Sequence, residues 1–304
     1  MTQSKGLVSI AVATYNGEKY LTEQLDCLLR QTYPEIEIVI VDDGSKDNTV
    51  AIVQQYCSKY TNIKLLMNEQ NRGVTKTFER GIEHCNGVFV ALCDQDDIWE
   101  LDKIAIMVAE INIEDAVYCN SLLVDSYNVS MGKDFKQVMN LKSYYSGAPF
   151  LLANCIPGHA MLIKTDFVKM CLPFPTHIYF DRWISFCAAA NKGIKYINQQ
   201  LVRYRQHETN MVGIRKLRTN NKRPTPKELF DNKLKELQTF ATAPIASTQT
   251  REILTTMIKL FTKKWSIARG IFFFKNIDTV LVIKNKPYYR KIFYCIKMIF
   301  KANY

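Results

Sequence analysis

The chain has 304 residues, 47% of them hydrophobic and 12% aromatic, which supplies apolar side chains for a sizeable core and argues against disorder. Net charge is +11, but residues 251–304 hold twelve Lys/Arg against Glu252 and Asp278 and carry +10 of it, so the first four-fifths is near neutral. Nine scattered cysteines without a Cys-x-x-Cys pair weigh against a zinc site and predict reduced core fillers of a cytosolic protein. No internal repeat is present, the start MTQSKGLVSIAVATYNG lacks a signal-peptide pattern, and no run of about 18 uncharged apolar residues predicts a transmembrane helix.

In chain order, LVSIAVA (7–13), IEIVIVD (36–42), IKLLMN (63–68) and GVFVALC (87–93) are short, nearly continuous apolar runs, rich in β-branched residues. Such runs predict strands buried on both faces of a parallel sheet. Between them, residues 17–30, 47–60 and 74–84 have apolar residues at helical spacing, with Asp47 a candidate cap for the second helix. Strand–helix alternation predicts right-handed crossovers and a doubly wound α/β sheet. In such sheets ligands sit beyond the carboxyl ends of the strands. Thr14-Tyr15-Asn16, Asp42-Asp43-Gly44-Ser45 and Asp94-Gln95-Asp96-Asp97 follow the first, second and fourth runs, so these polar clusters are expected to meet along one edge.

After residue 112 the pattern changes. AVYCNSLLVD (116–125) predicts a strand, followed by a polar, poorly patterned stretch to about residue 142. YYSGAPFLLANC (144–155) predicts a short helix, HAMLIK (159–164) a strand and FDRWISFCAAAN (180–191) a helix, and IKYINQQLVRYRQH (194–207) begins as a strand. RKLRTNNKRPTPKE (215–228) reads as a linker or exposed loop leading into a mostly helical tail.

FVALCDQDDIW runs a buried strand straight into three carboxylates within four positions. A solvated turn is the bland reading, but Ile98 and Trp99 are poor composition for one. An EF-hand loop requires Gly at its sixth position, where this chain has Trp99. An aspartyl phosphohydrolase usually places Asp-x-Asp after the first strand and stays open. No P-loop or GxGxxG occurs. A divalent Mg2+ or Mn2+ ion held by carboxylates and substrate phosphates fits best.

SIAVATYNGEKYLTEQLDCLLRQTYPEIEIVIVDDGSKDNT, NEQNRGV and LCDQDDIWELDKI together resemble family 2 glycosyltransferases of the GT-A fold, a Rossmann-like, mostly parallel sheet flanked by helices. NCIPGHAMLIK, FDRWISFCAAANKGIKYI and YRQHETNMVG resemble the family's bacterial rhamnosyltransferase-like branch. The match covers residues 6–213, so the resemblance implies a catalytic GT-A domain over 1–215 and a basic, mostly helical region over 216–304. It implies that Thr14, Tyr15 and Glu18 line the donor nucleotide site together with Gln95. Asp43 would bind the base, Asp42 would support its loop, and Asn71 and Arg72 would approach base and diphosphate. Asp94 would contact ribose or metal water and Asp96 the metal, with His207 completing the metal or diphosphate site. Asp97, Trp99, Gly158, His159, Trp183 and Arg205 fall in the implied acceptor or diphosphate region. Asp181, opening a helix between Phe180 and Trp183, is the candidate general base of an inverting transfer, with a helix cap as its bland alternative. An apolar surround is expected to raise its pKa, while Arg182 beside it is placed to pair with it and lower it.

The implied donor is a UDP- or dTDP-sugar, and the implied acceptor a glycan or lipid-linked carrier at the cytoplasmic face of the cell membrane. PYYRKIFYCIKMIFKANY predicts an amphipathic helix starting at Pro287, with Lys286, Arg290, Lys297 and Lys301 on one side and Tyr288, Tyr289, Ile292, Ile296 and Ile299 on the other. Such a helix suits an anionic membrane surface, or else packs on the catalytic domain with its basic face in water. The rival readings are a phosphohydrolase or nucleotidyltransferase using the same metal, and a non-catalytic, basic-tailed binding protein. No nucleic-acid motif accompanies the basic patch.

Overall fold

The computed structural model describes residues 5–207, 225–263 and 265–300. Strands β1 (Val8–Thr14), β2 (Ile36–Asp42), β3 (Ile63–Met67) and β4 (Phe89–Asp94) lie parallel in the order β3-β2-β1-β4. Helices α1 (Leu21–Leu29), α2 (Thr49–Lys59) and α3 (Val74–Glu83) make the crossovers. Their apolar spacing is used as expected: α1 buries Leu21, Leu25 and Leu28, and α3 buries Phe78 and Ile82. Thr14 pairs in register with Asp42, and Ala13 with Asp94, so the three polar clusters leave the sheet side by side.

Beyond β4 the chain forms β5 (Ile98–Trp99), α4 (Lys103–Glu110), β6 (Ala116–Val124), β7 (Ser130–Asp134), α5 (Phe135–Val138), β8 (Met161–Lys164), α6 (Thr165–Met170), α7 (Phe180–Ala190) and β9 (Ile194–Arg205). The sheet continues from β4 as β8-β6-β9-β5, with β8 antiparallel to both neighbours and β7 paired to β6. Helix α4 carries IAIMVA, so apolar that periodicity has no polar face to contrast with it. The polar stretch before residue 142 holds β7 and the short α5, whose start is closed by reciprocal Asp134–Gln137 hydrogen bonds. The helix expected over 144–155 is only a 3₁₀ turn, Ala148–Leu151, with all four residues buried. At α2 the cap residue is Asn48, while the Asp47 carboxylate accepts the Thr49 N–H at 3.0 Å.

The C-terminal helices are α8 (Pro226–Phe240), α9 (Thr248–Leu260), α10 (Ile267–Lys275), α11 (Ile277–Val280) and α12 (Tyr288–Phe300). Hydroxyl caps at Thr225, Ser247 and Ser266 start α8, α9 and α10. They extend the core: Leu237, Phe240, Leu254, Met257, Phe273 and Met298 share one buried cluster with Trp183 and Phe186. Phe240 lies 4.4 Å from Phe186 and 5.8 Å from Trp183, ring centre to ring centre. The boundary expected near residue 215, most of the linker, and the end of YRQHETNMVG lie outside the described residues.

Helix α12 turns a different face inward from the one expected. Cys295 and Met298 are buried, Ile292 and Ile299 half-buried, and Tyr288, Tyr289, Phe293, Ile296 and Phe300 exposed. The cause is close packing on α10, where a Cβ at Gly270 would stand 2.3 Å from Ile299. Buried Arg269 on α10 locks the pair by donating to the carbonyls of Met298, Leu260 and Lys263.

Candidate active site

Hydrogen bonds to side-chain acceptors tie the first two loops into one wall. Asn16 has φ 48°, a left-handed conformation that Asn tolerates, and its side chain accepts the Lys46 N–H at 2.8 Å. Its own N–H donates to Ser45 Oγ. Glu18 accepts from the main chain and side chain of Asn48, so it braces the loop after β2. Asp42 is buried, takes the N–H groups of Gly44 and Ser45, and accepts from the Thr14 hydroxyl. Tyr15 is left 45% exposed at the rim.

Gln95 crosses from the acidic loop to this wall. Its side-chain oxygen accepts the Tyr15 N–H at 2.8 Å and its amide donates to the Tyr15 carbonyl at 3.1 Å. Gly17 makes room for the amide: a Cβ there would stand 2.2 Å from Gln95 Oε1. Asp43 is buried and accepts Asn68 Nδ2 and Arg72 N on Oδ1, and Gly73 N on Oδ2. It shapes the loop holding Asn71 and Arg72, both exposed, and Oδ2 keeps acceptor capacity for one more donor.

The acidic loop holds two carboxylate–histidine pairs. The inner one is buried: Asp97 is 1% exposed, its Oδ1 accepts the Arg205 N–H, and its Oδ2 faces His159 Nδ1 at 3.1 Å. That contact is close but not aligned as a hydrogen bond, leaving Oδ2 without a hydrogen-bond partner among the described residues. Burial, then the charges of Asp96 and Asp94, push the Asp97 carboxyl well above the usual range. Ser121 Oγ lies 3.1 Å from the other nitrogen of His159, and Tyr204 packs on the ring. The outer pair is Asp96 Oδ2 with His207 Nε2 at 2.8 Å. Asp94, with a side chain 39% exposed, stands 3.6 Å from His159. The ligand atoms of Asp94, Asp97 and His159 all lie within 4.8 Å of one another.

Asp181 enters from the start of α7. Burial raises its pKa to about 7, helped by the charge of Asp94 and opposed by hydrogen bonds from the Arg182 main-chain N–H and Asn154. The expected side-chain pairing with Arg182 does not form. That guanidinium turns away to Glu236 at 3.0 Å and to the carbonyls of Phe150 and Leu151.

Four residues of the expected acceptor or diphosphate region have structural surroundings instead. Trp99 is 1% exposed beneath Lys103, whose ammonium stands 3.1 Å from its ring centre. Trp183 is buried, donates to the Cys171 carbonyl and stacks on Phe240, so it offers no face to a sugar. Gly158 is buried under Phe180. Arg205 is buried and donates to the carbonyls of Asp96 and Ser126 and to Glu23 at 2.7 Å, holding the acidic loop from behind. Sequence reasoning missed Lys103, which donates to the His159 carbonyl at 2.6 Å and is lowered by burial to about 8. Its signal was a lysine opening an otherwise apolar helix. Ser121, Asn154 and Tyr204 carried no signal beyond membership of apolar segments.

Comparisons with known proteins bear on the family and the fold. A family model described as Glycosyl transferase family 2 matches residues 9–170. An uncharacterised glycosyltransferase of Rickettsia typhi is 30% identical over 213 residues, 66% of this chain and 64% of its own length, so the match spans less than two thirds of that relative. An Escherichia coli UDP-Glc:alpha-D-GlcNAc-diphosphoundecaprenol beta-1,3-glucosyltransferase is 34% identical over 103 residues, 34% of this chain and 40% of its own. The crystal structure of S. aureus TarS in complex with UDP-GlcNAc has a TM-score of 0.61 at 20% identity, covering 96% of this chain and 81% of that one, a likeness of fold. With the family model running from β1 through α6, over more than half of its length, the chain belongs to glycosyl transferase family 2.

Proposed function

We propose that the protein is a metal-dependent, inverting glycosyltransferase that moves a sugar from a UDP- or dTDP-sugar to a glycan or lipid-linked acceptor in cell-surface polysaccharide synthesis. The carrying observation is the acidic loop at the end of β4, facing two histidines, with a second raised carboxyl, Asp181, near Asp94. The donor set fits Mn2+ or Mg2+, because carboxylates and an imidazole suit both the charge and hardness of such ions. Two groupings compete for it. The inner set, Asp94, Asp97 and His159, converges best, yet Asp97 and His159 are buried and leave no open position for phosphate oxygens. Asp94 and Asp96 with His207 are the favoured ligands, with the inner pair supporting them from behind. When bound, the ion offsets charge on the leaving diphosphate.

The chain's own residues do the rest. The wall of Tyr15, Asn71 and Arg72, shaped by Thr14, Glu18, Asp43 and Gln95, positions the nucleotide. Asp181 Oδ takes the acceptor hydroxyl's proton as that oxygen attacks the anomeric carbon. Its raised pKa keeps it a competent base near neutral pH. No helix among the described residues is long and apolar enough to cross a membrane. A peripheral position at the inner face of the cell membrane is proposed from the exposed aromatic and basic side chains of α12 and of α10, where Ile267, Ile271 and Phe274 face outward.

Saturating UDP or dTDP is expected to raise the melting temperature only with manganese or magnesium, corresponding to about 2–3 kcal/mol. Asp96→Ala is expected to abolish that shift. A nucleotide shift that ignores metal, or survives in Asp96→Ala, refutes the assignment.

A further inference from the structure

The C-terminal helices leave a groove of about 780 Å³ between α11, α12 and the segment just after the 3₁₀ turn. Its lining combines apolar side chains, Leu152, Ala153, Val280, Ile283 and the exposed ring of Phe293, with five cations, Lys284, Lys286, Arg290, Lys291 and Lys297. Among the described residues, only Lys291 of these five has a carboxylate within reach, Asp278 at 3.8 Å. Arg290 and Lys297 lie over the rings of Tyr289 and Phe293, so their stems cover apolar surface.

This combination restricts the occupant. A second copy of the chain would bring its own strongly basic tail against these cations and be repelled. A nucleic acid would leave the apolar lining unused. An apolar chain ending in phosphate satisfies both halves at once. The groove is tied to the chemistry through the chain: its lining includes Ala153, and the next residue, Asn154, hydrogen-bonds the carboxyl of Asp181. Resting on the glycosyltransferase reading, we propose that this groove seats the lipid end of a lipid-diphosphate-linked acceptor. The lipid chain lies against Leu152, Val280 and Phe293, with its diphosphate among Lys286, Arg290 and Lys297.

Farnesyl diphosphate is the probe, titrated calorimetrically into the full chain in EDTA so that no metal draws its diphosphate to the donor site. It is expected to bind at least about tenfold tighter than inorganic diphosphate or farnesol alone. Reversing two exposed charges, Lys286→Glu with Arg290→Glu, is expected to weaken it by about tenfold or more. Phe293→Ser, in the apolar lining, is expected to weaken farnesyl diphosphate but not inorganic diphosphate. All variants are expected to keep the metal-dependent UDP shift, which reports folding and the donor site separately. Unchanged farnesyl diphosphate affinity in the charge-reversed variant overturns the proposal, as does equally tight binding of inorganic diphosphate. Loss confined to phosphatidylglycerol vesicles overturns it too, because the cations then read a bilayer. If the wild-type chain shows no metal-dependent shift with either UDP or dTDP but the farnesyl diphosphate results hold, the proposed donor reading falls and the lipid-phosphate seat stands.

Discussion

Asp181→Asn tests the candidate base through stability as well as rate. The unfolded chain releases this proton near 3.8, whereas burial, aided by Asp94, holds the folded carboxyl to about 7. Between these values the folded state binds more protons than the unfolded one, so stability falls as pH rises through that window. A difference of about three pKa units corresponds to a ceiling of roughly 4 kcal/mol. The carboxyl is half-buried, and solvent screening reduces the expected effect to roughly 1–3 kcal/mol. Asparagine keeps the shape and removes the charge. The variant should therefore be more stable than the parent by roughly 1–3 kcal/mol at pH 8 and about equal to it below pH 4. Urea unfolding in EDTA at several pH values measures this. Transfer should fall by roughly 10²–10⁴-fold in the same variant, and the acid limb of the parent's pH–rate profile should vanish. With metal bound, the charge of Asp94 is offset and the limb should move below 7. Wild-type transfer by Asp181→Asn, or no stability gain at pH 8, refutes the reasoning.

Arg205→Lys should lower unfolding stability by roughly 2–4 kcal/mol, since an ammonium cannot reproduce a buried guanidinium's links to two carbonyls and Glu23. A urea midpoint equal to the parent's would contradict that. Gly17→Ala should displace the Gln95 amide from Tyr15, weakening UDP about tenfold while unfolding stability changes by less than about 1 kcal/mol. Parent-like UDP affinity measured by calorimetry would remove Gln95 from the donor wall.

The strands of the front half and the meeting of their loops were legible because β-branched runs and helical spacing alternate cleanly through residue 94. Legibility ended where local pattern stops deciding structure. Helix α4 is apolar on every side, and its Lys103 is explained only by a carbonyl brought from residue 159. Trp99 and Trp183 fall in the implied acceptor or diphosphate region in sequence, but both fill the core through contacts distant along the chain, Trp99 donating its main-chain N–H to Cys27 and Trp183 stacking on Phe240. In α12 the polarity of the residues marks one face as apolar, whereas close packing at Gly270 on another helix decides which side turns inward. Arg182 adjoins Asp181 in sequence, yet successive helical residues project in different directions, and its guanidinium reaches Glu236.

Three neighbouring acids require a counter-charge, and the fold places two buried cations close to them without neutralising them. Lys103 sits on the Trp99 ring and donates to the His159 carbonyl. Arg205 directs its guanidinium to two carbonyls and Glu23, offering Asp97 only a main-chain N–H. Both cations therefore fix the backbone and the histidine, while the carboxylates keep their charge problem. Asp97 resolves it by holding a raised pKa in the interior. Asp94 and Asp96, less buried than Asp97, face His159 and His207. Pairing either with a fixed lysine would be simpler for stability, but it would fill the place a divalent ion needs. An arrangement that stiffens the loop and leaves its outer acids uncompensated is one that a bound cation, with a diphosphate behind it, would complete.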